Sequence, residues 1–279
     1  MKKFLKAAAL TGGALFVIKG LDNRLEVTHY NISSSKIPPA FDGFKIVQVS
    51  DYHCDSVPGL VEEIKHESPD IIVSTGDLAD DKGDYFPAVR LCEHLTDIAP
   101  VYAVTGNHDL WRSDYEQFER EISATGVVTL HNERVILKNG SSEIALSGID
   151  DPFARNSVKI AENIQNSLSK LPHYDGYDIL LFHRANLFDQ LKYHGFDLIL
   201  AGHMHGGQFR LPTGQGMVSP KSSWASKSPV FFPKYVAGHY RAPRTEMIVN
   251  RGIGNPMLIP RLFNRPELTV ITLNSQKEK

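Results

Sequence analysis

Five times along this chain an apolar run stops on a side chain able to bind a metal ion. The runs at 44–50, 70–75, 101–105, 178–182 and 196–201 lead into Asp51, Asp77, Asn107, His183 and His203. Each run is short and rich in Val, Ile and Leu, which reads as a buried strand. Residues 60–66, 85–96, 115–124 and 158–168 carry helix-like sequence between them. Strands alternating with helices predict an α/β domain whose sheets are covered by helices. Ligands of open α/β sheets bind beyond the carboxyl ends of the strands. The five residues are therefore expected in one crevice.

Further strands are expected at 25–32, along an edge, and at 143–149, 246–249 and 267–273. Pro38-Pro39 breaks the chain, and 212–234, with Trp224, Phe231 and Phe232, reads as a long loop. That loop could line an apolar substrate pocket, dip into a membrane interface or pack on the domain. No linker divides the remainder, so one domain is expected over 25–279 behind a separate segment over 1–24. In that segment Lys2, Lys3 and Lys6 precede an uncharged, mostly apolar run over 7–18. A spanning helix needs about 20 residues, so the run fits the apolar part of a signal or a membrane anchor. Lysines ahead of it would keep the N-terminus inside. The expected location is membrane-associated and extracytoplasmic; a cytoplasmic peripheral protein with a surface N-terminal helix is the alternative.

Each of the five strand-end residues has an ordinary explanation on its own. Asp or Asn after a strand is usually a turn former or helix cap, and a single His is usually packed. Their arrival together, with glycine beside most of them, needs a common cause. Carboxylate, imidazole and amide oxygen suit zinc, manganese or iron. Asp51 and His53 are two residues apart, as are His203 and His205, so in extended backbone each pair points one way. Asp77 is a lone carboxylate whose two oxygens can bridge ions about 3.5–4 Å apart.

Composition removes several other classes. Two cysteines, Cys54 and Cys92, make neither a disulfide framework nor a Cys-rich zinc site. Cys54 reads as a small buried hydrophobe, with a metal or redox role as the other reading. The net charge of -2 gives no positive field for a nucleic-acid reader, though a nuclease stays open. An apolar share of 42% against 22% charged residues supports a sizeable core. His66, His94 and His131 lie in polar or helix-like stretches and read as surface residues.

Taken in order, Asp51-Tyr52-His53, Gly76-Asp77, Gly106-Asn107-His108-Asp109, His183 and Gly202-His203-Met204-His205 resemble the signature of the calcineurin-like metallophosphoesterases. The sequences Gly206-Gly207-Gln208 and Asn250-Arg251-Gly252-Ile253-Gly254 are similar to a bacterial, membrane-associated branch akin to UDP-2,3-diacylglucosamine pyrophosphohydrolases. Exported members of that branch often carry twin arginines near the start; this chain has Lys2-Lys3 instead, which counts against that export route. The resemblance spans about residues 25–275 and implies a four-layer α/β/β/α sandwich holding two divalent ions, manganese, zinc or iron. It implies that Asp51, His53 and His205 hold one ion, Asn107, His183 and His203 the other, and that Asp77 bridges them.

The implied reaction is hydrolysis of a phosphodiester or pyrophosphate in a lipid- or nucleotide-linked substrate. Phosphomonoester or nuclease action at the same centre is the alternative, and an inactive metal-binding scaffold a third reading. His108 is expected to protonate the leaving oxygen, Asp109 to orient His108, and Asn107 to stabilise phosphoryl charge. Arg184 is a candidate phosphate contact or a structural ion pair; Asp150, with Asp151, a substrate contact or a helix cap. The expected partner is a phosphorylated small molecule or lipid-linked substrate, with no specific nucleic acid, bound by a monomer.

Overall fold

The computed structural model describes residues 18–153, 157–218, 231–255 and 259–276; Trp224 and most of the 7–18 run lie outside them. One six-stranded sheet runs in the order β1 (Glu26–Ser34), β12 (Glu267–Ser275), β2 (Lys45–Val49), β3 (Ile71–Ser74), β4 (Val101–Ala103), β5 (Val128–Thr129). The second runs β10 (Gly238–Arg241), β11 (Glu246–Val249), β9 (Leu198–Gly202), β8 (Asp178–Arg184), β7 (Ser142–Gly148), β6 (Glu133–Asn139). The helices are α1 (Leu60–Glu67), α2 (Phe86–Thr96), α3 (Asn107–Trp111), α4 (Tyr115–Ala124), α5 (Ser157–Leu168) and α6 (Phe188–Leu191).

Side chains alternate across a strand, and here both faces are apolar. Val47, Val49 and Ile72 pack with Leu60, Ile64, Leu91, Leu95 and Phe118 of the helices on one side. Ile46, Ile71 and Val73 point the other way and meet Leu146, Ile179, Leu181 and Leu200 of the second sheet. The outer face of that sheet, with Leu180 and Ile199, packs on Ile160, Ile164, Phe188 and Leu191. Continuous apolar runs rather than strict alternation follow from this, because both faces of each central strand are dry. The result is four layers, α/β/β/α.

Within the first sheet β2, β3, β4 and β5 are parallel, as are β7, β8, β9 and β11 in the second. Two differences from the sequence reading concern the site. His183 and Arg184 lie within β8 rather than past its end, because a register shift after Leu181 lets Arg184 pair with Gly202. A short helix, α3, starts at Asn107 itself. The strands missed in the sequence, such as β6, are half-exposed edges with little apolar pattern.

The sheets meet where the strands end, and a glycine permits it. A Cβ on Gly202 would lie 1.9 Å from Ser50 Oγ and 2.4 Å from Asp51 Oδ2. Gly202→Ala is expected to destabilise the protein by about 1–3 kcal/mol through overpacking, read as a lower urea midpoint at constant slope. An unchanged midpoint would contradict the close approach.

Candidate metal centre

The backbone is bent into the left-handed region at five of the residues singled out from the sequence. These are Asp51 (φ +51°), His53 (+51°), Asp77 (+54°), His203 (+73°) and His205 (+46°). None is glycine, so each stores strain of order 1–3 kcal/mol that the surroundings must hold in place. The loops hold one another. Asp51 N donates to Gly76 O at 3.0 Å and His53 N to Asp77 O at 3.1 Å. From the far end of the chain, Ile253 N donates to Ser50 O at 2.9 Å and Gly254 N to Asp51 O at 2.8 Å.

These bends aim two sets of side chains at one another. Asp51, His53 and His205 form one buried group of candidate ligands, and Asp77, His183 and His203 a second. In the first, His205 Nε2 lies 3.3 Å from Asp51 Oδ1 and 3.3 Å from His53 Nε2. In the second, His183 Nε2 lies 3.2 Å from His203 Nδ1. Asp77 Oδ2 reaches both, at 3.2 Å from His183 Nε2 and 3.8 Å from His53 Nε2. Its other oxygen accepts the His108 backbone N–H at 2.7 Å.

Hydrogen bonds behind the rings fix which nitrogen faces inward. His183 Nδ1 donates to Thr75 O at 2.8 Å, and His53 Nδ1 lies 2.7 Å from Asp80 Oδ1. Each neutral ring then presents an Nε2 lone pair to the centre, the orientation outer partners give metal-binding histidines. Burial and Arg184 hold His203 neutral; burial, His53 and Arg261, whose Nη2 is 3.4 Å from the ring, do the same for His205. Burial opposes charge on His183 too, but the Asp77 carboxylate beside it outweighs burial and lifts it to about 10. Burial likewise opposes charge on Asp77, and the His183 ring nevertheless holds it well below the usual carboxylate range.

A divalent ion fits this donor set. With both rings neutral, lone pairs on His53 and His183 converge on an anionic oxygen, an arrangement that needs a proton or a metal cation between them. Asn107 Oδ1 and His203 Nε2 are buried with no hydrogen-bond partner, unlike most buried polar atoms. Asn107 is the first residue of α3, next to the His108 amide that caps Asp77.

Other sequence candidates are placed differently. Asp109 does not orient His108: its carboxylate accepts backbone N–H groups of Asp77 (2.8 Å), Ala79 (3.0 Å) and Gly106 (2.8 Å). Burial and the Asp77 charge push it up to about 6. The carboxylates facing His108 Nδ1 are instead those of Asp80 at 3.5 Å and Asp81 at 3.7 Å, which the sequence reading missed. Arg184 is buried in a two-point ion pair with Asp151, Nε and Nη2 donating at 2.5 and 3.0 Å. Asp150 spends both oxygens on Thr105, His131 and Asn132 and is not turned to the centre. His131 is not a free surface residue but half-buried between Asp150 and Glu119, whose hydrogen bonds raise it to about 10. Burial pushes the Cys54 thiol up to about 11, against a metal or redox role.

The His183–Asp77 pair makes the metal-free protein sensitive to pH. His183 is raised from 6.5 to about 10, so its stabilisation is complete below pH 6.5 and is lost as pH climbs through about 10. Asp77 contributes above its ordinary 3.8 and loses that as pH falls. Chelator-treated protein is expected to lose urea resistance across the alkaline window, while manganese-loaded protein keeps it because a cation replaces the proton. Parallel curves for the two preparations would contradict this.

Residues 44–207 match the family model of the calcineurin-like phosphoesterases. The metallophosphoesterase YkuE of Bacillus subtilis (strain 168) is 31% identical over 284 residues, covering 97% of this chain and 94% of that protein. A transmembrane protein with a metallophosphoesterase domain from Danio rerio is 28% identical over 95% of this chain and 62% of its own length. The phosphodiesterase YaeI of Escherichia coli (strain K12) is 26% identical over 82% of each chain. The likeness to YkuE runs almost end to end and the family model takes in every cluster residue from Asp51 to His205, so this chain belongs to the calcineurin-like phosphoesterases.

Proposed function

We propose that this phosphoester hydrolase cleaves a phosphodiester or pyrophosphate bond in a lipid- or nucleotide-linked substrate, with two divalent ions of manganese, zinc or iron. The observation that carries the reading is the single Asp77 oxygen set between His53 and His183. In this reading Asp51, His53 and His205 would hold one ion, Asn107, His183 and His203 the other, and Asp77 would serve both. Such ions would supply a more acidic water near neutral pH and positive charge against the phosphoryl oxygens.

The chain's own residues do the rest. Asn107 offers its oxygen to an ion, which leaves its amide N–H groups to donate to a phosphoryl oxygen. His108 is partly exposed and borders His53 with ring centroids 4.9 Å apart, so its ring is placed to hand a proton to the leaving oxygen. Asp80 and Asp81, 3.5 and 3.7 Å from His108 Nδ1 and not hydrogen-bonded to it, are the carboxylates that would orient the ring in place of Asp109. The name of the relative YaeI supports a diester over a monoester.

We assign membrane association to the segment over 1–24, with the domain over 25–279 on the extracytoplasmic side. The relative named as a transmembrane protein, matched over 62% of its length, supports the membrane association. Among the described residues no helix is long and apolar enough to cross a membrane.

The test is hydrolysis of bis-aryl phosphodiesters and a nucleotide-sugar pyrophosphate by manganese-loaded protein. His108→Ala is expected to retain metal and lose about 10²–10⁴-fold with poor leaving groups, and less with good ones. Equal loss across leaving groups would remove the acid role; no cleavage by the unaltered protein of either a bis-aryl phosphodiester or a nucleotide-sugar pyrophosphate would remove the function.

A further inference from the structure

Twelve large apolar side chains stand exposed among the described residues, and six belong to one small layer beside the metal centre. They are Ile18, Leu21, Leu211, Phe231, Phe232 and Ile259, between 40% and 68% exposed. Backbone pairing stitches their segments together. Phe263 N donates to Gly20 O at 2.6 Å, Arg210 N to Leu262 O at 2.9 Å and Phe232 N to Met217 O at 3.0 Å. Phe209 pairs with Leu262 and Val218 with Phe231.

The layer is tied to the ligand loop. Gln208 Nε2 donates to Ile259 O at 2.9 Å, and Asn264 Nδ2 to His205 O at 2.7 Å. Phe232 is also held at φ +51°, a conformation a bulky side chain rarely adopts. Strain that presents an aromatic ring to solvent works against the fold, which points to use by a partner.

The chain itself indicates the partner. Lys2, Lys3, Lys6 and the uncharged run over 7–18 lead straight into Ile18. Two residues on, Gly20 is pinned against Leu262 and Phe263. Ile18 and Lys19, which continue that segment, therefore stand in this layer. Lys19 stands exposed beside Ile18, and Lys234 beyond Phe232, where it also reaches Asp189 at 3.5 Å. Aromatic and aliphatic side chains next to lysines suit an anionic lipid interface. A second copy of the same face would set these lysines against their like.

We propose that this layer docks on an anionic bilayer surface and holds the metal centre at lipid-borne phosphoesters. The clause on substrate rests on the hydrolase reading above; the docking does not. The test uses full-length Phe231→Cys and Ile259→Cys, with Val128→Cys, 44% exposed on β5 at the opposite edge of the first sheet from β1, as the control. Each carries a thiol-attached fluorophore, and the unaltered protein gives the background from Cys54 and Cys92. Vesicles of phosphatidylglycerol and phosphatidylethanolamine contain a spin-labelled lipid as quencher. Quenching about threefold stronger at 231 and 259 than at 128 is expected for an interfacial face.

Equal quenching at the three positions, or none, would overturn the proposal. Concentration-dependent burial of the labels without vesicles would also overturn it, in favour of self-association. Quenching needs no turnover, so a protein that docks yet cleaves neither diester nor pyrophosphate sinks only the hydrolase reading. A protein that cleaves soluble diesters yet never docks sinks only this one.

Discussion

The contact on which the rest depends is one oxygen of Asp77 facing a ring nitrogen of His53 and a ring nitrogen of His183, both buried. Their outer nitrogens are taken up by Asp80 and Thr75, so the inner ones carry lone pairs when neutral. Lone pairs aimed at a carboxylate in a dry place repel unless positive charge lies between them. In the metal-free protein a proton on His183 serves, which is why that ring stays charged to about pH 10. Cations held by the two groups would serve in its place, and Asn107 Oδ1, buried without a hydrogen-bond partner, is a free ligand oxygen beside them.

The fold is arranged around that need. Strain at five cluster residues, tight glycines between the sheets and a C-terminal strap from Ile253 and Gly254 all act on the same loops. The packing that offsets this lies below, in three apolar cores that fix four layers. Rigid strands beneath strained loops are what a preorganised site requires.

Much of this was legible in the sequence, for identifiable reasons. Strand 246–249 and helix 115–124 were read with the bounds the structure shows, because apolar run and spacing are local signals. The Asp51/His53 and His203/His205 spacing marked the right residues for the wrong reason: all four have φ between +46° and +73°, so they lie on bends rather than in extended backbone, and His203 and His205 join different groups. What failed depended on direction. Asp109 was assigned to its neighbour His108, yet on α3 successive residues point apart. As the third residue of that helix it turns back to cap Gly106 N instead. Asp80 sits three residues after Asp77, and only the loop's bend shows that it faces His53 and His108. Arg184 was left open between phosphate and ion pair, and the ion pair it makes is with Asp151, distant in sequence.

Anomalous X-ray scattering from crystals grown with manganese tests the centre most directly. Two peaks about 3.5–4 Å apart are predicted, one on each side of the Asp77 carboxylate. Asp77→Ala should lose them together. A single peak in the unaltered protein, or two that survive removal of Asp77, would contradict a shared dinuclear centre.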